Sequence, residues 1–213
     1  MLEDFLKYQA KTNPHPMGLE IAKASGNYLY DIDGKSYLDF IAGVSACPLG
    51  HSHPSVTKAI QDQTKKYMHV MVYGEFAQAP TVNLCKKLVQ VLPENQEVIY
   101  LTNSGTEAIE GALKLAKRVT QRSGLIAAYQ SYHGSTHGAL SLLGNEEQKK
   151  GYRPLLPGVN FIAFNKDGDL KKINKKTAAV LLETIQGGAG FIEPKDNYLK
   201  KVNFLSKSHF SHL

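Results

Sequence analysis

The spacing of apolar residues along this chain changes period more than once, and each change marks an element. Residues 2–12 carry a short helical pattern, ended by Asn13-Pro14-His15-Pro16 because proline disfavours helix in the residue before it. From Ile21 the apolar residues come in short runs divided by turn formers. Ile21–Ala24, Tyr28–Asp31 and Ser36–Phe40, separated by Ser25-Gly26-Asn27 and an Asp33-Gly34 turn, predict a small antiparallel meander. After Gly50-His51-Ser52-His53-Pro54 a helical period returns. Val56, Ile60, Gln63 and Tyr67 share one helix face, and Val82, Cys85, Val89 and Leu92 share another.

From residue 97 strand and helix patterns alternate. Val98–Leu101 predicts a strand running into a helix over 105–121, with Ala108, Ile109, Ala112, Leu115, Ala116 and Val119 as its apolar stripe. Leu125–Tyr129, Val159–Phe164 and Ala178–Glu183 predict three further strands. A last helix begins near Asp196 and carries Tyr198, Leu199, Val202 and Leu205. Near-continuous apolar strands between helices predict an α/β fold with a mostly parallel sheet covered on both faces. Ligands of such sheets sit at the carboxyl ends of the strands. Three loops, 103–106, 131–135 and 183–188, lie at that edge.

Each loop carries candidate chemistry. Ser104 and Glu107 have the spacing of a capping box, which specifies the helix start. Gly105 leaves the backbone amides there unshielded, so the positive helix end is suited to a phosphate, with the Ser104 and Thr106 hydroxyls as further donors. An ordinary capped helix accounts for the same residues. Tyr132, in Ser131-Tyr132-His133-Gly134-Ser135-Thr136, suits stacking on a flat heterocycle or a half-buried place in the core. Glu183 stands at a strand end before Gly187, Gly188 and Gly190, as a site carboxylate or as an exposed charge. The glycine spacing is not that of a dinucleotide fingerprint.

Composition narrows the class. The chain has 213 residues, 42% hydrophobic and 21% charged, which are ordinary values for a globular protein. No apolar run reaches the ~18–20 residues that span a bilayer, and Met1-Leu2-Glu3-Asp4 lacks a signal pattern, so a cytoplasmic protein is expected. Much of the net charge of +6 comes from lysines scattered from Lys149 onward. No aromatic-interleaved basic stripe appears, which argues against nucleic-acid binding. Cys47 and Cys85 form no metal clip, and His51 and His53 read as turn residues, so no metal site is expected.

Taken in order, the three loops resemble the class III aminotransferases, pyridoxal-phosphate enzymes of fold type I. Residues 26–40 resemble that family's opening meander, and Leu49-Gly50-His51-Ser52-His53-Pro54 the turn after it. The likeness covers about residues 18–202. It implies that Ser104, Gly105 and Thr106 hold the cofactor phosphate and that Tyr132 stacks on the pyridine ring, with His133 shaping the loop. Glu183 and Gln186 would belong to the wall beside the ring, and Val44, Ser135 and Gly188 would line the substrate pocket. Residues 1–54 would be part of the small domain, and 55–213 an incomplete large, cofactor-binding domain. The implied reaction is transamination between an amine or amino acid and a 2-oxo acid, in a homodimer with contacts near Tyr67–Ala79. An aminomutase or epimerase would share these loops, as would a non-catalytic remnant or a half-subunit needing a C-terminal partner.

Two departures bear on the substrate. Members acting on acetylornithine, ornithine or 4-aminobutyrate carry an arginine where this chain has Ser135, and a glutamate where it has Gly188. A hydroxyl cannot form the bidentate ion pair with a carboxylate, so the pocket resembles the amine–oxo-acid branch more closely. In the family, the Schiff-base lysine and the aspartate at the ring nitrogen follow the last helix seen here. Lys195, Lys200 and Lys201 precede that point and belong to a solvated helix face. The chain thus reads as about half a family member. It is expected to be poorly stable and, alone, not to transaminate.

Overall fold

The computed structural model describes residues 1–71 and 74–210, with side chains as far as Ser208. Val72 and Tyr73, within the segment expected at a subunit contact, lie outside the described residues, as do residues 211–213. The chain divides into two compact units, Met1–Asn83 and Leu84–Leu213.

The first unit opens with α1 (Leu2–Tyr8), shorter than residues 2–12 because Gln9 already has an extended backbone. The meander forms as the turn residues dictate: β1 (Ile21–Ser25), β2 (Tyr28–Asp31) and β3 (Ser36–Leu38) pair antiparallel in that order. Asp31 organises the second turn. Its carboxylate accepts from the amides of Asp33 and Lys35 and from the Tyr37 hydroxyl. A helical turn, α2 (Ala42–Ser45), precedes α3 (Pro54–Thr64), which starts on a proline at its first position, where no amide partner is lost. His51, expected in a turn, instead pairs its backbone with Gly26 in an isolated antiparallel bridge, because Gly50 and Gly26 let the two segments meet. Its Nε2 bonds the Asp39 carboxylate at 2.7 Å. Among the described residues no His/Cys/Asp/Glu group is placed to hold a metal ion. α4 (Ala79–Val89) spans the point of division.

The second unit is built on a three-stranded parallel sheet in the order β5-β4-β6, with β4 (Gly124–Ala128) between β5 (Val159–Ile162) and β6 (Thr177–Leu181). Both faces are covered, and the period of two in β4 assigns the residues. Leu125 and Ala127 pack with Leu113 of α5 (Gly105–Thr120), with Leu142 after α6 (His137–Ser141), and with Ala178. Ile126 points the other way, into a core with Ile162, Leu170, Ile173, and Tyr198 and Val202 of α7 (Tyr198–Phe210). Among the described residues, no helix is long and apolar enough to cross a membrane.

Two expectations are corrected. Val98–Leu101 is not a strand, and Val98 is 88% exposed. A strand exists only where a neighbouring strand takes its amides and carbonyls, and no described strand pairs with this segment. The buried side of α5 also differs from the expected stripe. Leu113 is 4% exposed and Ile109 packs beside it, whereas Leu115 is 62% exposed and Ala108, Ala112 and Val119 are exposed with it. The helix has two apolar sides, and the sheet takes one.

Leu113→Ala is therefore expected to cost about 2–5 kcal/mol in urea unfolding. Leu115→Lys should stay within about 0.5 kcal/mol of the parent and reduce self-association in light scattering. Equal destabilisation by the two substitutions would refute this assignment of faces.

Candidate functional site

The start of α5 is specified locally. Ser104 is its N-cap with extended backbone, and its Oγ accepts from the Glu107 amide at 3.3 Å. Glu107 returns the contact one residue further out, its carboxylate accepting from the Asn103 amide at 2.8 Å. The Ala108 amide is the first to bond within the helix, to the Ser104 carbonyl. Among the described residues the amides of Gly105 and Thr106 have no acceptor. Apart from its chain neighbours and the helix's own backbone, no atom lies within 4 Å of where a Gly105 Cβ would stand. Two free amides, an open approach and the positive helix end make this a candidate anion cradle.

The loop after β4 is tied to this cradle. Ser131, buried, donates to the Ala128 carbonyl at 2.7 Å and so turns the chain at the strand end. Gly134 has φ +121°, and a Cβ there would lie 2.4 Å from Thr106 Oγ1. Only a residue without a side chain lets the loop meet α5 so closely. Thr136 completes the junction. Its amide donates to Thr106 Oγ1 at 3.2 Å, and the two hydroxyls are 2.5 Å apart.

The loop after β6 meets the same structure from the other side. Glu183 Oε2 accepts from the Tyr132 amide at 3.1 Å and its Oε1 from the Gly187 amide at 3.2 Å. The carboxylate thus fastens two loops together, neither buried in the core nor idle at the surface. Gln186 is buried and donates through Nε2 to the Tyr129 carbonyl at 2.9 Å, while its backbone pairs with Ile192. Tyr132 is 56% exposed, so its ring is presented and not packed. Ser135 lines a cavity of about 300 Å³ with Tyr132, His137, Gln148 and Tyr152, and Gly188 lines a larger one on which Tyr132 also borders.

His133 is buried beside Tyr132, and its Nε2 has no hydrogen-bond partner. Burial lowers its pKa below the ordinary histidine value, against a smaller opposing pull from the Glu183 charge. The ring is therefore neutral at pH 7. Val44 belongs to the first unit, where it is exposed and held with Gly43 in the left-handed region at φ 58° and ψ 53°. That is a strained place for a β-branched residue.

Two participants are missing from the residues picked out by sequence, Thr136 and Glu110. Thr136 had a local signal, as a hydroxyl residue just before a short helix. Glu110 had none, because a carboxylate inside an amphipathic helix reads as a solvated charge. One expected donor is also reassigned: the Thr106 hydroxyl is engaged by Thr136.

The family model for Aminotransferase class-III matches residues 8–211. An acetylornithine aminotransferase of Clostridium acetobutylicum is 42% identical over 192 residues, covering 86% of this chain and 48% of that protein. A [LysW]-aminoadipate semialdehyde/glutamate semialdehyde transaminase of Sulfurisphaera tokodaii is 37% identical over 185 residues, covering 87% and 47%. Among solved structures, adenosylmethionine-8-amino-7-oxononanoate aminotransferase of Methanocaldococcus jannaschii superposes with TM-score 0.88 at 28% identity, covering 98% of this chain and 52% of that one. The chain spans about half the length of the curated relatives it matches.

Gly134→Ala should destabilise the second unit by about 1–3 kcal/mol, from left-handed strain and the clash with Thr106. His133 gives a pH signature. Its folded pKa is lowered, so between that value and the unfolded value of about 6.5 the unfolded chain binds more protons. Stability should fall as pH drops below about 6.5, and His133→Asn should flatten that slope in thermal unfolding. An unchanged slope would remove His133 as its source.

Proposed function

The chain belongs to the class III aminotransferases, and from that membership we propose that its second unit forms the cofactor wall of a pyridoxal-phosphate transaminase. The reaction moves an amino group between an amine or amino acid and a 2-oxo acid. One observation carries the reading: free helix-end amides, the exposed Tyr132 ring and the Glu183 carboxylate converge on one edge of the parallel sheet. The architecture is that of fold type I, shared with the aminotransferases it superposes on.

The donor set fits the group. A phosphate dianion needs several donors and no opposing carboxylate, and the Gly105 and Thr106 amides with the Ser104 hydroxyl supply them. The Tyr132 ring, with its amide held by Glu183, is set to lie against a flat heterocycle. Glu183 and Gln186 act on the wall by fixing its loops, because both spend their polar atoms on backbone groups. When bound, pyridoxal phosphate supplies a carbonyl for the amine and an electron-withdrawing ring. This chain's residues bind and orient it.

Ser135 and Gly188 decide the substrate class. Ser135 offers a hydroxyl where a guanidinium would grip a carboxylate, so we read the substrate as an amine, or an amino acid whose side chain ends without a carboxylate at this position. A cytoplasmic homodimer is the assembly this family membership favours.

The chain has eleven tyrosines and no tryptophan, so stacking on Tyr132 can be followed by tyrosine emission. Pyridoxal phosphate should quench that emission, inorganic phosphate should compete, and pyridoxal without its phosphate should bind at least about tenfold more weakly, given the charge-assisted bonds it forgoes. Tyr132→Ala should abolish the quench. Equal affinity for pyridoxal and its phosphate would overturn the reading.

A further inference from the structure

Glu110 lies in the second turn of α5, one turn past Thr106, and its carboxylate is directed at the Tyr132 loop. Oε1 accepts from the Thr136 hydroxyl at 2.6 Å and from the Ala139 amide at 3.0 Å. A Cβ on Gly138 would stand 2.3 Å from Oε2, so the approach is as close as the backbone permits. Burial alone would raise the Glu110 pKa. The bonds from Thr136 and Ala139, the nearby Gly138 amide and the charge of Lys114 outweigh it and hold the carboxyl below its usual value. The group is an acceptor at neutral pH.

That charge state settles the direction of each hydrogen bond behind it. A carboxylate only accepts, so the single Thr136 proton goes to Glu110. The Thr136 oxygen must then accept from the Thr106 hydroxyl, 2.5 Å away, while Thr106 Oγ1 accepts from the Thr136 amide. The Thr106 proton therefore points at Thr136 and not out of the helix end.

We propose that Glu110 is a positioning residue for the anion cradle, acting through the Thr136 hydroxyl to fix Thr106 and to dock the Tyr132 loop on the start of α5. The inference rests on the reading of that cradle as the cofactor phosphate site. Its consequence is that Thr106 serves an anion with its amide alone, and Ser104 supplies the one free hydroxyl.

The test measures pyridoxal phosphate affinity on the full chain, with melting temperature and amide exchange alongside. Glu110→Ala and Thr136→Val should each weaken binding about tenfold, the size of one charge-assisted hydrogen bond. Thr136→Ser, which keeps the hydroxyl, should restore affinity to within about twofold of the parent. The double variant Glu110→Ala/Thr136→Val should bind no worse than either single, since both cut one chain of contacts. A purely structural Glu110 would instead give additive losses and no rescue by serine. Parent-like affinity in a folded Glu110→Ala variant overturns the proposal. If the parent itself fails to bind, the cofactor reading falls, and exchange judges Glu110 alone. Its removal must then speed exchange in residues 132–139 while residues 159–181 stay protected, and unchanged exchange in 132–139 refutes it.

Discussion

Everything at the candidate site depends on the pairing of β4 on both of its edges. A parallel strand cannot close a ladder with a hairpin, so its amides and carbonyls must be taken by strands distant in sequence. Here β5 and β6 take them, with Leu125 set against Val159 on one side and Ala179 on the other. That register lines up the carboxyl ends of β4 and β6. Tyr132 and Glu183, 51 residues apart, thereby come within one hydrogen bond. The core packed on each face of β4 makes the register costly to shift, because a slip of one residue exchanges Leu125 for Ile126 across the sheet.

The second dependence is electrostatic and local to α5. The free end of a helix attracts an anion only where its amides are left unbonded. Ser104 caps the third amide of the helix, that of Glu107, and leaves the first two open. The loop from β4 reaches this end through the absence of a side chain at Gly134 and through the hydroxyls of Thr136 and Thr106. Glu110 anchors that contact from the second turn of the same helix. The cradle, the ring beside it and the carboxylate behind it thus share one hydrogen-bonded frame.

Sequence alone reached a good part of this. The Ser104 cap, the Asp33-Gly34 turn and the three strands after residue 121 are written in neighbouring residues, where spacing and turn chemistry act directly, whereas the short helix α6 gave no such spacing signal. The family likeness pointed to Tyr132 and Glu183 and carried the cofactor class, and the family match agrees with the family. The segment 98–101 shows the limit. Its alternation is that of a strand, yet a strand without a partner has no ladder to join. In α5, Leu115 and Leu113 look equally apolar, and only the packed sheet chose between them.

What the sequence determined by itself was the local grammar: where helices begin, where turns fall, and which residue types are chemically suited to a phosphate and a flat ring. Tertiary structure decided the partners. Whether Glu183 was an idle charge or a clasp between loops, and whether the Thr106 hydroxyl faced a ligand or Thr136, turned on groups 30 to 51 residues away. A hydrogen bond depends on distance and direction in space, and position along the chain constrains neither until strands have paired.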